Sequence, residues 1–213
     1  MTLRRLLPAL IVACGVGAWL LPDSIPFAGV GPDGDESWPA PKSFTPARVT
    51  KDDRPRIRVA PDRPWQIVLG RGSGMSGLAT VQVESTGRLV VYRPHAERDG
   101  NTWVQSWKTA SATLPPEAVA AVLEAVEANR LGELDRAYHA NVHDGTQWVL
   151  WLRQDDREKA VYFDNHFPES VVRFARWLDE IIVGSVEANM RWRWVPSGHD
   201  RDHDADLWDA IKH

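Results

Sequence analysis

Cysteine is nearly absent from this 213-residue sequence, and its one copy, Cys14, lies inside an apolar run at the N-terminus. An intrachain disulfide is therefore impossible, so packing has to stabilise the fold. The sequence also lacks a basic excess: its formal net charge of -4 creates no field that would attract nucleic acid. These absences exclude a disulfide scaffold and predict no nucleic-acid partner.

Apolar residues make up 43% of the sequence, which is enough for one hydrophobic core of ordinary size. Tryptophan is unusually frequent, with 11 copies, and three of them (Trp192, Trp194, Trp208) lie near the C-terminus. Buried tryptophans usually dominate packing, whereas exposed ones indicate interfaces. The composition therefore predicts one folded domain and leaves its partner open.

The N-terminal segment, residues 1–21, predicts export. Arg4 and Arg5 precede the apolar run Leu6–Leu21, which is the layout of a secretory n-region followed by an h-region. Basic residues before the run and acidic residues after it place the N-terminus inside and the rest of the chain outside the cytoplasm. The segment therefore implies the membrane as one partner and an extracytoplasmic location for the domain.

Three fates of this segment stay open. The run is slightly shorter than the roughly 20 residues that span a bilayer, yet it suffices for a retained anchor. Val16–Ala18 offers a signal-peptidase site, which would release a secreted protein. Ile11–Cys14 resembles a bacterial lipobox, in which Cys14 would be acylated to give a lipid-anchored protein. Trp19–Leu21 continue the apolar run beyond both sites, which favours the anchor.

The rest of the chain divides into three parts. Residues 22–64 contain nine prolines without a sustained period, which predicts an extended linker. Residues 65–184 carry strand and helix patterns and predict the folded domain. Residues 185–213 contain the Trp/Arg segment Arg191–Trp194 and an Asp/His-rich tail that we expect to be solvated. The Trp/Arg segment predicts either contact with a membrane or protein, or a short edge strand whose tryptophans cover the domain.

Two stretches of alternating apolar and polar residues predict β-hairpins, with turns at Thr86-Gly87 and Asp155-Asp156. A two-residue turn sets the register of each hairpin and places its apolar side chains on one face. The predicted cross-strand pairs are Val83–Val90, Val81–Tyr92, Trp148–Phe163 and Leu150–Val161.

Two helices accompany these strands. One is predicted to begin at Pro115-Pro116 and to end at Gly132. The other is predicted to begin at Pro168 and to end at Gly184, with its apolar stripe formed by Val171, Phe174, Leu178 and Ile181. The order of elements predicts an α+β domain, in which an antiparallel sheet of about five strands with two hairpins packs against two helices. A transmembrane or signal helix would precede this domain.

The same order of residues resembles a family of exported bacterial domains of unknown function. The likeness covers about half the chain, namely Leu78–Tyr92, the helix after Leu114-Pro115, Leu134–Tyr138, the aromatic hairpin and the closing helix at Leu178-Asp179. Members of that family commonly carry two cysteines where this chain has Gly74–Gly77. The resemblance implies an exported domain and leaves its activity open.

The stretch Arg71–Gly77 is similar to the Ser-Gly-Gly-x-x-Gly opening of emfourin-type inhibitors of bacterial metalloproteases. That resemblance implies a protein that binds a protease and catalyses nothing. Gly72, Gly74 and Gly77 also match a nucleotide-binding pattern formally, but the residues after them predict a hairpin instead of the required helix. Arg71 and the three glycines remain candidates for a protruding binding loop or for a connection with unusual backbone angles.

A polar cluster is predicted where the outer ends of the second hairpin meet. The register brings His143 and Asp144 close to Asp164 and His166, and His139 is near them in sequence. Imidazoles and carboxylates together can ligate zinc or act as general acid and base. The alternative is structural: Asp144 forms a turn, and Asp164 and Asn165 cap the following helix. His199 and His203 in the tail could bind a divalent cation weakly.

These observations predict a membrane-tethered extracytoplasmic module that binds or supports another envelope protein, catalyses no reaction and needs no cofactor. Two alternatives stay open. One is an inhibitor of an extracellular metalloprotease, and the other is a metal-dependent enzyme that uses the His/Asp cluster.

Overall fold

Alternating apolar residues build one large and mostly antiparallel sheet. The computed structural model describes residues 42–45, 47–53, 56–73, 77–99, 102–142 and 145–212. Within them lie nine strands: β1 (Ala47–Thr50), β2 (Trp65–Ser73), β3 (Gly77–Glu84), β4 (Arg88–Asp99), β5 (Thr102–Thr113), β6 (Ala137–Ala140), β7 (Gln147–Gln154), β8 (Arg157–Asp164) and β9 (Arg193–Trp194). Their order across the sheet is β1-β6-β8-β7-β2-β3-β4-β5-β9, and β6 pairs with β8 in parallel.

Helices pack on both faces of the sheet, which makes the fold mixed α/β. The helical segments are α1 (Pro116–Ala128), α2 (Glu169–Trp177), a π-helical segment (Leu178–Val183), α3 (Gly184–Glu187) and α4 (Asp202–Ala210). The larger core lies between one face and the first three of these segments. On the other face Leu207 of α4 packs among Val68, Leu78 and Val149 and is 1% exposed. The two predicted helices are present, and α4 was missed.

The first hairpin has a different register from the predicted one. The observed pairs are Val83–Leu89 and Val81–Val91, where the prediction had Val83–Val90 and Val81–Tyr92. The turn contains three residues, because Gly87 adopts a left-handed conformation (φ 82°) and its N–H donates to the Glu84 carbonyl at 2.9 Å. A shift of one residue reverses the faces of a strand, so Tyr92 lies on the α4 side.

The second hairpin has the predicted register. Trp148 lies opposite Phe163, and Leu150 lies opposite Val161. All four side chains are buried in the larger core. The prediction was correct here because Asp155-Asp156 forms a true two-residue turn, in which Asp155 takes the left-handed conformation (φ 53°).

The second long helix departs from ideal α geometry. It begins after Pro168 as predicted, but it does not end at Gly184: the π-helical segment follows α2, and α3 continues the helix to Glu187. The i→i+5 hydrogen bonds of a π-helix add a residue to the turn and change which side chains return to the sheet. Ile182 is therefore buried at 1% exposure, whereas Ile181, the predicted stripe residue, is 53% exposed.

The predicted linker and strand count both need correction. Part of the linker 22–64 belongs to the domain: β1 pairs with β6, Ile57 is buried in the larger core, and Asp52 forms a buried ion pair with Lys159 at 2.6 Å. Nine strands are present instead of about five because β1, β6 and β9 contain only two to four residues. Such short strands carry no recognisable alternation.

The N-terminal predictions concern residues that the structure leaves undescribed. The apolar run Leu6–Leu21, the lipidation candidate Cys14 and the first half of the linker all lie outside the described residues. Within residues 42–212, apart from the gaps given above, no helix is long and apolar enough to cross a bilayer.

Candidate functional site

A polar pocket opens at the sheet edge where β1, β6 and the end of β8 meet. Arg48 and His139 lie directly opposite each other in the β1–β6 ladder, so their side chains share a face. The pocket has a volume of about 410 Å³, and its walls are Ala47, Arg48, His139, Ala140, Asn141, Val142 and Asp164. This volume lies within the range of small-molecule sites.

His139 and Asp164 approach each other inside this pocket. Nδ1 of His139 lies 3.7 Å from a carboxylate oxygen of Asp164, and the two side chains are 26% and 24% exposed. The His139 and Tyr162 rings meet in an edge-to-face arrangement, with ring centroids 5.4 Å apart. Burial, reinforced by the negative charge of Asp164, raises the pKa of Tyr162 to about 12. The Tyr162 hydroxyl therefore remains a hydrogen-bond donor at physiological pH.

The predicted His/Asp cluster is assembled in part. His166 approaches Tyr138, at 6.2 Å between ring centroids, and Tyr138 belongs to the larger core. His139 follows Tyr138 in β6 and therefore points to the opposite face of the sheet. His143 and Asp144 lie outside the described residues. In the part of the chain that the structure describes, no three metal-ligating side chains converge.

Asn165 organises the backbone beside the pocket. It takes a left-handed conformation (φ 55°), its side-chain oxygen accepts the Thr146 N–H at 3.0 Å, and its amide nitrogen donates to Asp164 at 2.9 Å. Helix α2 starts at Pro168 without a side-chain cap, so the predicted capping by Asp164 and Asn165 is wrong. Asn165 instead holds Asp164 in place at the pocket wall.

The described part of the glycine-rich stretch belongs to the sheet. Arg71 is 4% exposed and forms a two-pronged ion pair with Asp179 of the π-helical segment, one contact being 2.7 Å. A Cβ on Gly72 would lie 2.1 Å from the Gly77 carbonyl oxygen, and Gly77 itself has φ +90°. These residues satisfy packing and backbone requirements. Gly74, at the tip of the predicted binding loop, lies outside the described residues.

The C-terminal residues form a buried polar network instead of the expected solvated tail. Asp204 in α4 is fully buried. Its carboxylate accepts the Leu78 N–H at 2.8 Å, the Trp208 indole N–H at 3.2 Å and the Arg201 Nε–H at 3.1 Å. A buried charge is tolerated when it is paired and hydrogen-bonded in this way. Asp204 therefore attaches α4 to the sheet.

His203 completes the attachment of α4. Its Nε2 lies 2.8 Å from the Leu78 carbonyl oxygen, and its ring stacks on Tyr92 at 4.3 Å between centroids. Burial lowers the pKa of His203, and the hydrogen bond to Leu78 opposes this shift. The ladder between β3 and β4 covers only Thr80–Val83 of β3, so Leu78 is beyond it. His203 and Asp204 thus bind the two backbone groups that β4 leaves unpaired.

An arm of two strands extends from this point. The β4–β5 ladder continues to Asp99–Thr102, well beyond Tyr92, where β4 parts from β3. We call residues 93–99 and 102–108 the arm. At its base Trp194 of β9 is 52% exposed, and the Lys108 ammonium lies 4.2 Å from the centre of its ring. Of the two alternatives for the Trp/Arg segment, the short edge strand is present at Arg193–Trp194, but the exposed Trp194 does not cover the domain.

Sequence reasoning missed the α4 network, although one signal for it was present. Asp204, Leu207, Trp208 and Ile211 recur at helical spacing, and the last three pack on the second face of the sheet. The acidic and histidine-rich composition of the segment concealed this stripe.

No protein-family model matches this chain, and no curated protein is similar to it. The pocket, the α4 network and the arm therefore stand on their own geometry.

Proposed function

We propose that this chain is a membrane-tethered extracytoplasmic module that binds a ligand and catalyses no reaction. The tether and the location rest on the two arginines and the apolar run Leu6–Leu21, which would form the helix preceding the domain. The binding role rests on the pocket formed by Arg48, His139 and Asp164.

Opposite charges in one open cavity carry this proposal. Arg48 supplies a guanidinium and Asp164 a carboxylate, while Ala140 and Val142 supply apolar wall. A ligand that bears both an anionic and a cationic group complements this arrangement through charge-assisted hydrogen bonds. A free amino acid or a short zwitterionic peptide has this chemistry, and an envelope protein would present it through a terminal residue whose side chain carries the opposite charge.

The neighbouring groups favour binding over catalysis. Tyr162, whose ring packs against that of His139, has a pKa of about 12. A hydroxyl with such a pKa is a poor nucleophile or base near neutral pH, whereas it donates a hydrogen bond well. Tyr162 supports the His139 ring and can orient a bound ligand.

The test is ligand titration of the full chain, followed by NMR of the imidazole resonances. Glycine, alanine and short dipeptides are the probes, and acetate and ethylammonium provide the single charges. We expect the zwitterions to shift the His139 signals and bind at least tenfold more tightly than either single-charge probe, since a charge-assisted hydrogen bond contributes about 1.5 kcal/mol or more.

Variants make the assignment specific. Arg48→Gln and Asp164→Asn should each weaken binding of the dipeptides about tenfold. Arg58→Gln is the matched control, because Arg58 is 83% exposed and pairs with Glu127 away from the pocket. Equal binding by all three variants, or equal shifts with acetate alone, would contradict the proposal.

The approach of His139 to Asp164 keeps the metal-dependent alternative testable in the same experiment. Zinc that displaces the His139 signals at an equimolar ratio, with reversal by a chelator, would favour that alternative. The inhibitor alternative is tested by adding the protein to a thermolysin-like protease, where unchanged hydrolysis rejects it.

A further inference from the structure

We infer that one face of the arm is a membrane-contact surface that lies against anionic phospholipid headgroups. The inference rests on the proposed membrane tether, and it adds a second and independent contact with the bilayer. Its basis is the combination of exposed apolar side chains and basic residues on one side of the arm.

The register places these residues on a common face. Alternate residues of a strand share a side, so Val104, Ser106 and Lys108 of β5 point the same way. Lys108 lies opposite Trp194 in the β5–β9 ladder, and Ser106 lies opposite His95 in the β4–β5 ladder. We call these five residues the arm face.

Two large apolar side chains of the arm face are exposed. Trp194 is 52% exposed and Val104 is 48% exposed. Among the described residues, only two other large apolar side chains, Val49 and Ile181, are exposed to a similar extent. Tryptophan is the residue typical of the headgroup layer, because its ring is apolar and its indole N–H is polar. The arm face therefore has the apolar component of an interfacial surface.

The charges on and beside the arm face are mainly positive. The Lys108 ammonium contacts the Trp194 ring and the His95 Nδ1 at 3.3 Å, and it has no carboxylate partner among the described residues. Arg191 and Arg193 are exposed in the same segment, and alternation along β9 turns Arg193 to the opposite side from Trp194. Glu187 pairs with Arg93 at the base of the arm, which leaves its charge neutralised.

Lys108 of the arm face complements an anionic bilayer, whereas the whole chain carries a formal net charge of -4. The remainder of the protein is thus repelled by anionic lipid, and the arm face is the side that can approach it. A membrane tether would make the contact between arm and bilayer intramolecular, so even a weak affinity of the arm face for lipid would be populated.

The contact can be measured by site-directed spin labelling of the full chain in vesicles. Cys14→Ala removes the native thiol, and Ser106→Cys places a label on the arm face. Asp156→Cys provides the control at the β7–β8 turn, which lies at the other end of the strands from the arm tip. Vesicles contain phosphatidylcholine alone, or phosphatidylcholine with phosphatidylglycerol. The collision rates of each label with oxygen and with a water-soluble nickel chelate report its depth.

We expect the label at position 106 to be shielded from the nickel chelate in phosphatidylglycerol vesicles, and the label at position 156 to be accessible in both vesicle types. Lys108→Gln should reduce the membrane-bound fraction of the arm about fivefold. Trp194→Ala should return the label at position 106 to water accessibility.

The outcomes separate the arm from the tether. Flotation with phosphatidylcholine vesicles reports the tether alone, so its failure contradicts the proposed function and leaves the arm to be judged by flotation with phosphatidylglycerol vesicles. The inference is overturned if the label at position 106 stays water-accessible in phosphatidylglycerol vesicles, or if the protein floats with neither vesicle type. After either result, the arm face would be a protein-binding surface.

Discussion

Replacing Asp204 by alanine should detach α4 from the sheet and cost about 4 kcal/mol of unfolding free energy. Asp204 is fully buried and accepts hydrogen bonds from the Leu78 N–H, the Trp208 indole and Arg201. Removing the carboxylate leaves the two neutral donors without an acceptor, at about 1–3 kcal/mol each. Arg201 is 43% exposed, so water replaces most of its share.

The remaining cost comes from the packing of α4. Leu207 and Trp208 cover Leu78, Val149 and Tyr162 on the second face of the sheet. Once the N-terminal end of α4 loosens, part of this apolar contact is exposed to water. A loss of about 4 kcal/mol is a large share of the 5–15 kcal/mol that stabilises a typical domain.

Urea unfolding at pH 7, followed by tryptophan fluorescence, measures this loss. Amide hydrogen exchange at Leu78 reports the local opening directly. Asp204→Asn keeps one carbonyl acceptor in place and should cost about half as much as the alanine variant. Asp206→Ala is the matched control, since Asp206 is exposed on the same helix and should change stability by less than about 0.5 kcal/mol.

If Asp204→Ala costs less than about 1 kcal/mol and the Leu78 amide keeps its protection, then the buried carboxylate does not hold α4.

Three further predictions follow from buried groups. Burial lowers the pKa of His203 from its ordinary value of 6.5, so the unfolded chain binds the proton more readily than the folded chain. The urea midpoint of unfolding should therefore be constant above pH 6.5 and fall below it, and this fall should be less steep in His203→Gln. Lys159→Met should lower the free energy of unfolding by about 3–5 kcal/mol, because Asp52 loses the buried ammonium with which it pairs. The double variant Lys159→Met with Asp52→Leu should recover most of this stability in calorimetry, and a double variant as unstable as the single one would contradict the prediction. Gly77→Ala should lower the melting temperature more than Gly198→Ala does. Both glycines have φ near +90°, but only a Cβ at position 77 would meet another side chain, that of Trp107 at 2.8 Å. Equal melting temperatures would show that only the backbone strain matters.

The candidate site was only partly accessible to sequence reasoning. The hairpin register correctly placed the start of β7 beside the end of β8, whereas His139 entered the predicted cluster only because it is near His143 in sequence. Arg48 was missed because it lies in a four-residue strand inside a proline-rich stretch. His166 was included wrongly, since closeness in sequence does not reveal that it packs beside Tyr138 on the opposite face.

The two hairpins show how far local chemistry reaches. Asp155-Asp156 forms the two-residue turn that the sequence suggests, so the register of β7 and β8 follows from it. At Gly87 the same reasoning failed by one residue, because glycine also permits a three-residue turn and the sequence does not distinguish the two. One residue was sufficient to exchange the core face of β4 with the face that contacts α4.

Elements with local signals could be predicted from the residues alone. The start of α1 follows from Pro116 at its first position and that of α2 from Pro168 directly before it, and the core strands follow from alternation. Tertiary structure decided the pocket, the arm and the place of α4. Each depends on partners far apart in the chain, such as Arg48 with His139 or Leu78 with Asp204, and no local period encodes such a pairing.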